Sequence, residues 1–311
     1  MKKGYSVVEI LIVIAIMGIL AGGILSAYRF IAKENVTRHL IAKQEQDVAV
    51  LINQLLKDVE SAGFGVDINT LSDTDNNTVI SSGSLKFPSL SSREEKWSGC
   101  WAVLNSGNLT IQSKNFLGQD CQFPNAWYVV IDPVTKKNLC PANLNYLCND
   151  LRGMSGLAFY ATQNDDYKYP QSFMVTYTLT QTNLPKECAQ GTYNLIKTIG
   201  TPGQPGYQAN QPVISCVFPN GFKVRAGIQS GGSVIYQDSL SSSDIQNHNL
   251  KLFRICLILQ VGASQDTPSV QPQFSSDCGG GPSIDITWWN NTGRWYRWKV
   301  VEQNIPLRNY Q

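Results

Sequence analysis

The chain has 311 residues, which is enough for one large domain or two small ones. Charged residues make up 15% of the chain and the net charge is +2, so no strong electrostatic field favours a nucleic-acid partner. The composition indicates a neutral, polar, β-rich body attached to an apolar segment.

The N-terminus is a short basic leader, Met1 to Gly4, followed by a long apolar stretch from Tyr5 to Tyr28. As a helix with a rise of about 1.5 Å per residue, this stretch is long enough to cross a hydrocarbon core of about 30 Å. We therefore predict a transmembrane helix over residues 5–28. Glu9 lies inside it, and because a carboxylate is costly in an apolar medium, it requires a partner.

A cleaved secretory signal is the main alternative for this segment. Lys2 and Lys3 fit the basic region of such a signal, and Ala21, Gly22 and Gly23 fit the small residues before its cleavage site. Glu9 does not fit, because it places an acid at the start of the apolar region.

Residues Gly4-Tyr5-Ser6-Val7-Val8-Glu9 resemble the class III signal of type IV prepilins and pseudopilins. The resemblance implies that residues 1–4 are a leader peptide removed by prepilin peptidase after Gly4. It also implies that Tyr5, where the family usually has Phe, becomes the N-methylated first residue. The new ammonium group is then the natural partner of Glu9 in a neighbouring subunit, which gives Glu9 a role in subunit assembly.

Gly18 and Gly22 form a G-x-x-x-G pair within the apolar stretch. This spacing favours close helix packing, although the ordinary tolerance of Gly in membrane helices explains it equally well. After Tyr28 the chain stays free of Pro and Gly as far as Ala62. We predict that residues 29–65 form the amphipathic half of the same helix, with Gly63-Phe64-Gly65 as its stop. Its apolar face comprises Val48, Leu51, Ile52, Leu55, Leu56, Val59 and Ala62.

From residue 66 to residue 311 the chain is predicted to be an extracytoplasmic, β-rich head. Strands are expected at residues 126–131, 172–179 and 249–260, and a surface loop or hairpin end at residues 200–212. The fold class is thus α+β, with a long N-terminal helix packed on a β-rich, disulfide-containing globular head.

An even number of cysteines, eight, lies in this head, without a C-x-x-C pair. They are Cys100, Cys121, Cys140, Cys148, Cys188, Cys216, Cys256 and Cys278. We interpret them as disulfide-bonded in an oxidising compartment, because the chain has only two histidines to complete a Cys/His zinc site. The pairing is open from sequence, although Cys140 and Cys148 are near enough to close a short loop.

Other candidate sites have simpler explanations. Asp73, Asp75 and Asn77 alternate as in a calcium loop but lack its Gly and its final acid, so a polar turn is favoured. Trp288, Trp289, Trp295 and Trp298 lie near Arg294, Arg297 and Lys299, and we expect them to pack in a terminal hairpin rather than to bind a partner or nucleic acid. Asp165 and Asp166 are expected in a solvated loop. We identify no catalytic constellation, metal site or cofactor, so we expect no enzyme.

Later segments are similar, in the same order, to PilW-type minor pilins, including Pro306 to Asn309. This resemblance implies a minor pilin of a type IV pilus that helps to initiate assembly near the tip. The implied partners are prepilin peptidase, other pilins and a tip adhesin, and the implied location is the inner membrane, single-pass, and then the pilus on the cell surface. The alternatives are a minor pseudopilin of a type II secretion system, and a membrane-tethered adhesin or extracytoplasmic enzyme.

Overall fold

The structure, a computed structural model, describes residues 7–72, 78–91, 99–114, 118–121, 127–141, 144, 146–161, 173–203 and 207–310. The chain divides into two compact units, Met1–Ala49 and Val50–Gln311. The division falls within the first helix, so the last turns of that helix belong to the same unit as the head.

The first helix, α1, runs from Val7 to Glu60. It ends five residues before the predicted bound at residue 65, and the turn that follows contains the predicted stop, where Gly63 and Gly65 take positive φ angles of 74° and 70° that other residues rarely adopt. No helix in the described residues combines the length and the apolarity that a candidate membrane span needs. The transmembrane role predicted for residues 5–28 therefore stays a prediction.

Three short helices follow α1: α2 (Ile68–Ser72), α3 (Ser242–Gln246) and α4 (Ile286–Asn291). Two of them have side-chain caps at their N-termini. Ser241 accepts a hydrogen bond from the Asp244 amide, and Asp285 accepts one from the Thr287 amide. These caps satisfy amide groups that have no partner within the helix, which is why Ser and Asp stand at these positions.

The larger sheet, sheet A, has eight described strands, and all its paired strands are antiparallel. They are β1 (Val79–Ser81), β2 (Ser84–Pro88), β7 (Met174–Thr180), β8 (Tyr193–Ile199), β9 (Gln208–Ser230), β10 (Ser233–Gln237), β11 (Leu250–Val261) and β12 (Arg297–Pro306). Their order is β1-β2-β7-β8-β9-β11-β12, with β10 paired to β9. Strand β12 therefore lies at one edge of sheet A.

The smaller sheet, sheet B, has four described strands in the order β4-β3-β6-β5. They are β3 (Trp101–Asn105), β4 (Asn108–Ile111), β5 (Trp127–Ile131) and β6 (Gly156–Ala161), again antiparallel. The predicted strands at residues 126–131, 172–179 and 249–260 correspond to β5, β7 and β11 and are confirmed.

The prediction of a loop or hairpin end over residues 200–212 is wrong in its second half. Strand β9 begins at Gln208, and Ile196 of β8 pairs with Pro212. The register shifts beside this pair, between Leu195 and Ile196. Because proline cannot donate a ladder hydrogen bond, it is accommodated at such irregularities, and the Gly, Pro and Gln content of this segment concealed a strand.

The core of the head is formed by the end of α1 and the inward faces of both sheets. Leu55, Val59 and Ala62 of the predicted apolar face are fully buried, whereas Leu51 and Leu56 are half-buried. The ring of Phe64 packs edge-on against Phe159 of β6, with the ring centroids 4.9 Å apart. The apolar stripe of α1 thus buries its last turns, as the periodicity indicated.

Candidate functional site

The predicted processing residues, Gly4 and Tyr5, lie outside the described residues. Glu9 lies in the first turn of α1, which begins at Val7. The predicted pairing of Glu9 with the N-terminal ammonium group of another subunit is therefore not tested by the structure.

Beyond Glu9, the described side chains of α1 as far as Ile31 form a largely apolar, exposed surface. Its exposed large apolar side chains are Leu11, Ile12, Ile14, Ile16, Met17, Ile19, Leu20, Ile24, Leu25, Tyr28 and Ile31. Ile19 reaches a fractional exposure of 76%. Gly18 and Gly22 lie within this surface, and a Cβ atom built at either position meets nothing within 4 Å. The segment therefore has a large apolar surface and space at both glycines for the close approach of another helix.

At the other end of α1, within the head unit, three polar side chains form what we call the helix-end cluster: Asp58, Tyr177 and Lys197. The Tyr177 hydroxyl donates to Asp58 Oδ2 at 2.6 Å, and Lys197 Nζ lies 2.5 Å from the same oxygen. The Asp58 and Lys197 side chains are 21% and 12% exposed, and Tyr177 is fully buried. The cluster joins α1 to neighbouring strands β7 and β8, which pair Tyr177 with Lys197.

The electrostatics of this cluster act on the Tyr177 hydroxyl. Burial raises the pKa of Tyr177 well above its usual value, and the charge of Asp58 and its hydrogen bond act in the same direction. Tyr177 is therefore a neutral donor over the whole physiological range. It supplies a second partner to a carboxylate that Lys197 alone would leave incompletely hydrogen-bonded.

The C-terminal residues attach to the turn that ends α1, in what we call the C-terminal clamp: Ala62, Gly63 and Thr78 with Asn309 and Tyr310. Asn309 Nδ2 donates to the Ala62 carbonyl at 2.9 Å, and the hydroxyls of Tyr310 and Thr78 are hydrogen-bonded to each other. Tyr310 is fully buried, and burial raises the pKa of its hydroxyl. The clamp holds the last residues of the described chain against the end of α1.

All eight cysteines are paired in four disulfides, which confirms the disulfide prediction. The bonds are Cys100–Cys121, Cys140–Cys148, Cys188–Cys216 and Cys256–Cys278. The short-loop pair, Cys140–Cys148, is the one that spacing favoured. Each bond closes a local loop, and Cys256–Cys278 attaches the long connection between β11 and β12 to strand β11.

The C-terminal tryptophans pack into the head as expected, but not in a hairpin, because Trp288 and Trp289 lie on helix α4 and only Trp298 lies on a strand, β12. The rings of Trp288 and Trp298 meet Phe218 edge-on, with centroid distances of 5.1 and 4.7 Å. Their indole N–H groups donate to the carbonyls of Gln190 and Gly293, at 2.7 and 2.8 Å.

The other two tryptophans also have ring contacts. The ring centroids of Trp289 and Phe218 are 6.3 Å apart, and the guanidinium carbon of Arg294 lies 4.7 Å from the centroid of the Trp295 ring. The cluster forms a second small core on sheet A around the Cys256–Cys278 bond.

Two further groups of predicted residues were the alternating Asp73, Asp75 and Asn77, and the adjacent Asp165 and Asp166. Both groups lie outside the described residues. Within the part of the chain that the structure describes, no group of three or more His, Cys, Asp or Glu side chains is placed to hold a metal ion.

A groove with a volume of about 930 Å³ lies in the head between the last turns of α1 and sheet B. Its apolar wall includes Phe64, Trp101 and Phe159, and its polar wall includes Lys57 and Asp58. The helix-end cluster thus borders the groove through Asp58.

Sequence reasoning missed the helix-end cluster, although one signal was present. Asp58 stands three residues after Leu55 and four before Ala62, so it lies on the same helix face as these buried residues. A carboxylate on a buried face requires a partner. No local pattern in the sequence identifies Tyr177 and Lys197 as those partners.

The N-terminal segment matches a known family. Residues 1–25 match the prokaryotic N-terminal methylation motif, so the chain carries the N-terminal signal of type IV pilin-like proteins. The match covers the signal and not the head. No curated protein sequence matches this chain.

Among solved structures, the chain is similar to a type IV-like pilin from Thermus thermophilus. The sequence identity is 10%, and the similarity covers 86% of this chain and 98% of that one. The TM-score is 0.32, which is too low to assign the fold of the head.

Proposed function

We propose that this chain is a minor pilin of a type IV pilus, of the PilW type, that helps to initiate assembly near the pilus tip. The observation that carries the proposal is the methylation motif over residues 1–25, followed by the exposed apolar surface of α1. Prepilin peptidase removes residues 1–4, and Tyr5 becomes the methylated first residue. The apolar surface is covered first by the inner membrane and then by the helices of other pilins.

The chemistry of the N-terminus explains why assembly, rather than insertion alone, uses Glu9. An ammonium group at Tyr5 and a carboxylate at Glu9 of a neighbouring subunit neutralise each other where either charge alone is costly. The pair forms only between subunits, so it sets the stagger of one helix against the next. Gly18 and Gly22 then allow close approach of the neighbouring helix.

We propose that the head acts through protein contacts and has no enzymatic role. Its described architecture is a disulfide-bonded body attached to the end of α1 through the helix-end cluster and the C-terminal clamp. Other minor pilins and a tip adhesin are the partners that we propose for it, and the cell-surface pilus is its final location.

The experiment that tests the proposal replaces Glu9 with Val in the full-length chain. We expect the variant to insert in the membrane normally, because the segment becomes more apolar, and to be nearly absent from sheared fibres. Glu45→Val is the matched control, because Glu45 lies on the same helix and is exposed. Equal incorporation of the Glu9→Val and unmodified chains would show that the proposed pairing does not direct assembly.

A strain lacking this chain decides between the two fibre systems. We expect fewer surface pili with normal protein secretion. Normal pili with impaired secretion would assign the chain to a type II secretion pseudopilus instead. Complementation by a head that lacks α1 would contradict assembly in either system and would indicate a free enzyme or binding protein.

A further inference from the structure

The edge of sheet A at β12 has a backbone whose outward groups can be identified. Leu307 N–H donates to the Lys251 carbonyl at 2.9 Å, and Leu252 pairs with Pro306. In an antiparallel pair, hydrogen-bonded and non-hydrogen-bonded positions alternate. Counting back from Leu307, every second residue of β12 is therefore hydrogen-bonded to β11. The residues that lie between these direct their N–H and C=O groups away from the sheet.

Those outward residues are Trp298, Val300, Glu302 and Asn304. Among the residues that the structure describes, none hydrogen-bonds to the outward backbone groups of these four. Pro306 is the next outward position, and proline is found at sheet edges where its nitrogen needs no partner. The edge is thus a row of four unpaired N–H groups and four unpaired C=O groups, which is a template for an added strand.

The side chains along this edge carry an excess of positive charge. Arg297 and Lys299 stand two residues apart and therefore on the same face of β12. Neither has an ion pair with a carboxylate among the described residues. The one acid on the strand, Glu302, is already neutralised by Arg254 at 2.8 Å.

We propose that β12 is a docking edge for an extended, acidic segment of a partner protein, which adds to sheet A as a further strand. The unpaired peptide groups supply main-chain hydrogen bonds, and Arg297 and Lys299 select a segment with acids at alternate positions. This inference deepens the proposed function by naming a kind of partner for the head. It does not depend on Glu9, so the two proposals fail separately.

The test uses the full-length chain in detergent and a synthetic peptide of alternating glutamate and valine, capped at both ends. We expect the peptide to slow amide hydrogen exchange at Trp298, Val300, Glu302 and Asn304, the four outward positions. A capped peptide of alternating lysine and valine should not do so. Absence of slowing by the glutamate peptide, or equal slowing by the lysine peptide, would overturn the proposal.

Two pairs of variants separate backbone pairing from charge. Val300→Pro removes an outward N–H while sparing the bonds to β11, and should weaken peptide binding about tenfold, whereas Val300→Thr should retain it. Lys299→Glu should also weaken binding about tenfold, whereas Lys137→Glu, at an exposed position in the loop after β5 of sheet B, should not.

If Val300→Pro fails to fold, the two lysine-to-glutamate variants still test the proposal. Unchanged binding by Lys299→Glu would remove the acidic partner from the proposal and overturn it. Amide hydrogen exchange at the four positions could also be slow without peptide and become slower as the protein concentration rises. That result would overturn the proposal, because it would show that a second copy of this chain occupies the edge.

Discussion

The hydroxyl of Tyr177 donates to the carboxylate of Asp58 at 2.6 Å, linking strand β7 to a helix residue 119 positions earlier in the chain. Lys197 completes this contact from the neighbouring strand. The three groups are largely buried, so each depends on the others for its hydrogen bonds and charge balance. The helix-end cluster is therefore where α1 and sheet A are joined by polar contacts.

Asp58→Asn is expected to destabilise the head by about 1–3 kcal/mol, because it leaves the Lys197 ammonium group mostly buried without a counter-charge. Lys197→Met should lower the free energy of unfolding less in an Asp58→Leu chain than in the unmodified chain. The reason is that the double variant leaves neither charge buried without its partner. Urea unfolding of the full-length chain, followed by tryptophan fluorescence, measures this, because all seven tryptophans lie within the head sequence.

The matched control for Asp58 is Asp150→Asn. Asp150 pairs with Arg152 at 2.6 Å, and the hydrogen bond from Arg152 lowers the pKa of Asp150 to about 2, but the pair is solvent-exposed. Exposed pairs contribute little, so this variant should unfold as the unmodified chain does. Equal effects of the Asp58 and Asp150 variants would show that the helix-end cluster contributes no more than a surface ion pair.

Tyr177 should make the head sensitive to alkaline conditions. Its pKa is raised in the folded state by burial and by Asp58, whereas an unfolded tyrosine ionises near pH 10. The contribution of Tyr177 to stability is therefore fully present below about pH 10 and is lost as the pH rises from there through the folded-state pKa.

Phenolate absorbance at alkaline pH measures this sensitivity. In the folded protein, the unmodified chain and Tyr177→Phe should titrate the same number of tyrosines. In urea, the unmodified chain should titrate one more than the variant. A difference of one phenolate near pH 10 in the folded proteins would contradict the buried, neutral state of Tyr177.

The disulfides should differ in their contributions to stability according to the loop that each closes. Cys188–Cys216 spans 28 residues and Cys140–Cys148 spans 8. A disulfide restricts the unfolded chain more when it closes a longer loop. Removing Cys188–Cys216 should therefore lower the free energy of unfolding by about 1 kcal/mol more than removing Cys140–Cys148. Paired Cys→Ala variants of each bond, unfolded in urea, give the comparison. Free thiols in the denatured, unreduced chain would indicate that the bonds had not formed.

Gly63 should tolerate alanine poorly, because a Cβ atom at this position meets the ring of Tyr310 at 2.7 Å and the φ angle is 74°. Gly153 has nearly the same φ angle, 75°, with nothing within 4 Å, so Gly153→Ala reports the backbone cost alone. That cost is about 1–2 kcal/mol, and Gly63→Ala should exceed it. In a Tyr310→Leu background, Gly63→Ala and Gly153→Ala should lower the free energy of unfolding by similar amounts. A larger effect of Gly63→Ala in that background would show that contact with the Tyr310 ring is not its cause.

Local patterns predicted the parts of the fold that short-range forces decide. The apolar repeat through Leu55, Val59 and Ala62 predicted the buried face of α1, and Gly63 and Gly65 predicted its end, because both effects act within a few residues. Contacts made across the fold were not predictable in this way. Tyr177 and Lys197 lie 119 and 139 residues from Asp58 in the chain, and the pairing of β7 with β8 places them side by side.

The disulfides show the same limit. Spacing favoured Cys140–Cys148, since its short loop made the pair easy to propose, but the other three bonds span 21, 28 and 22 residues. Loop lengths so similar do not distinguish one pairing from another. Proline likewise concealed the start of β9, because its tolerance in a strand depends on a register shift that only the partner strand reveals.

Mass spectrometry of the N-terminal tryptic peptide from purified fibres or membranes shows whether the chain is cleaved after Gly4 and methylated at Tyr5. If the chain is processed as a pilin, the peptide begins at Tyr5 and carries one added methyl group on its amine. An unprocessed chain yields instead a peptide that begins at Gly4, after the trypsin site at Lys3. A peptide beginning at Gly4 in assembled material, or a mature chain beginning at Ile24, would show that the chain is not processed as a pilin.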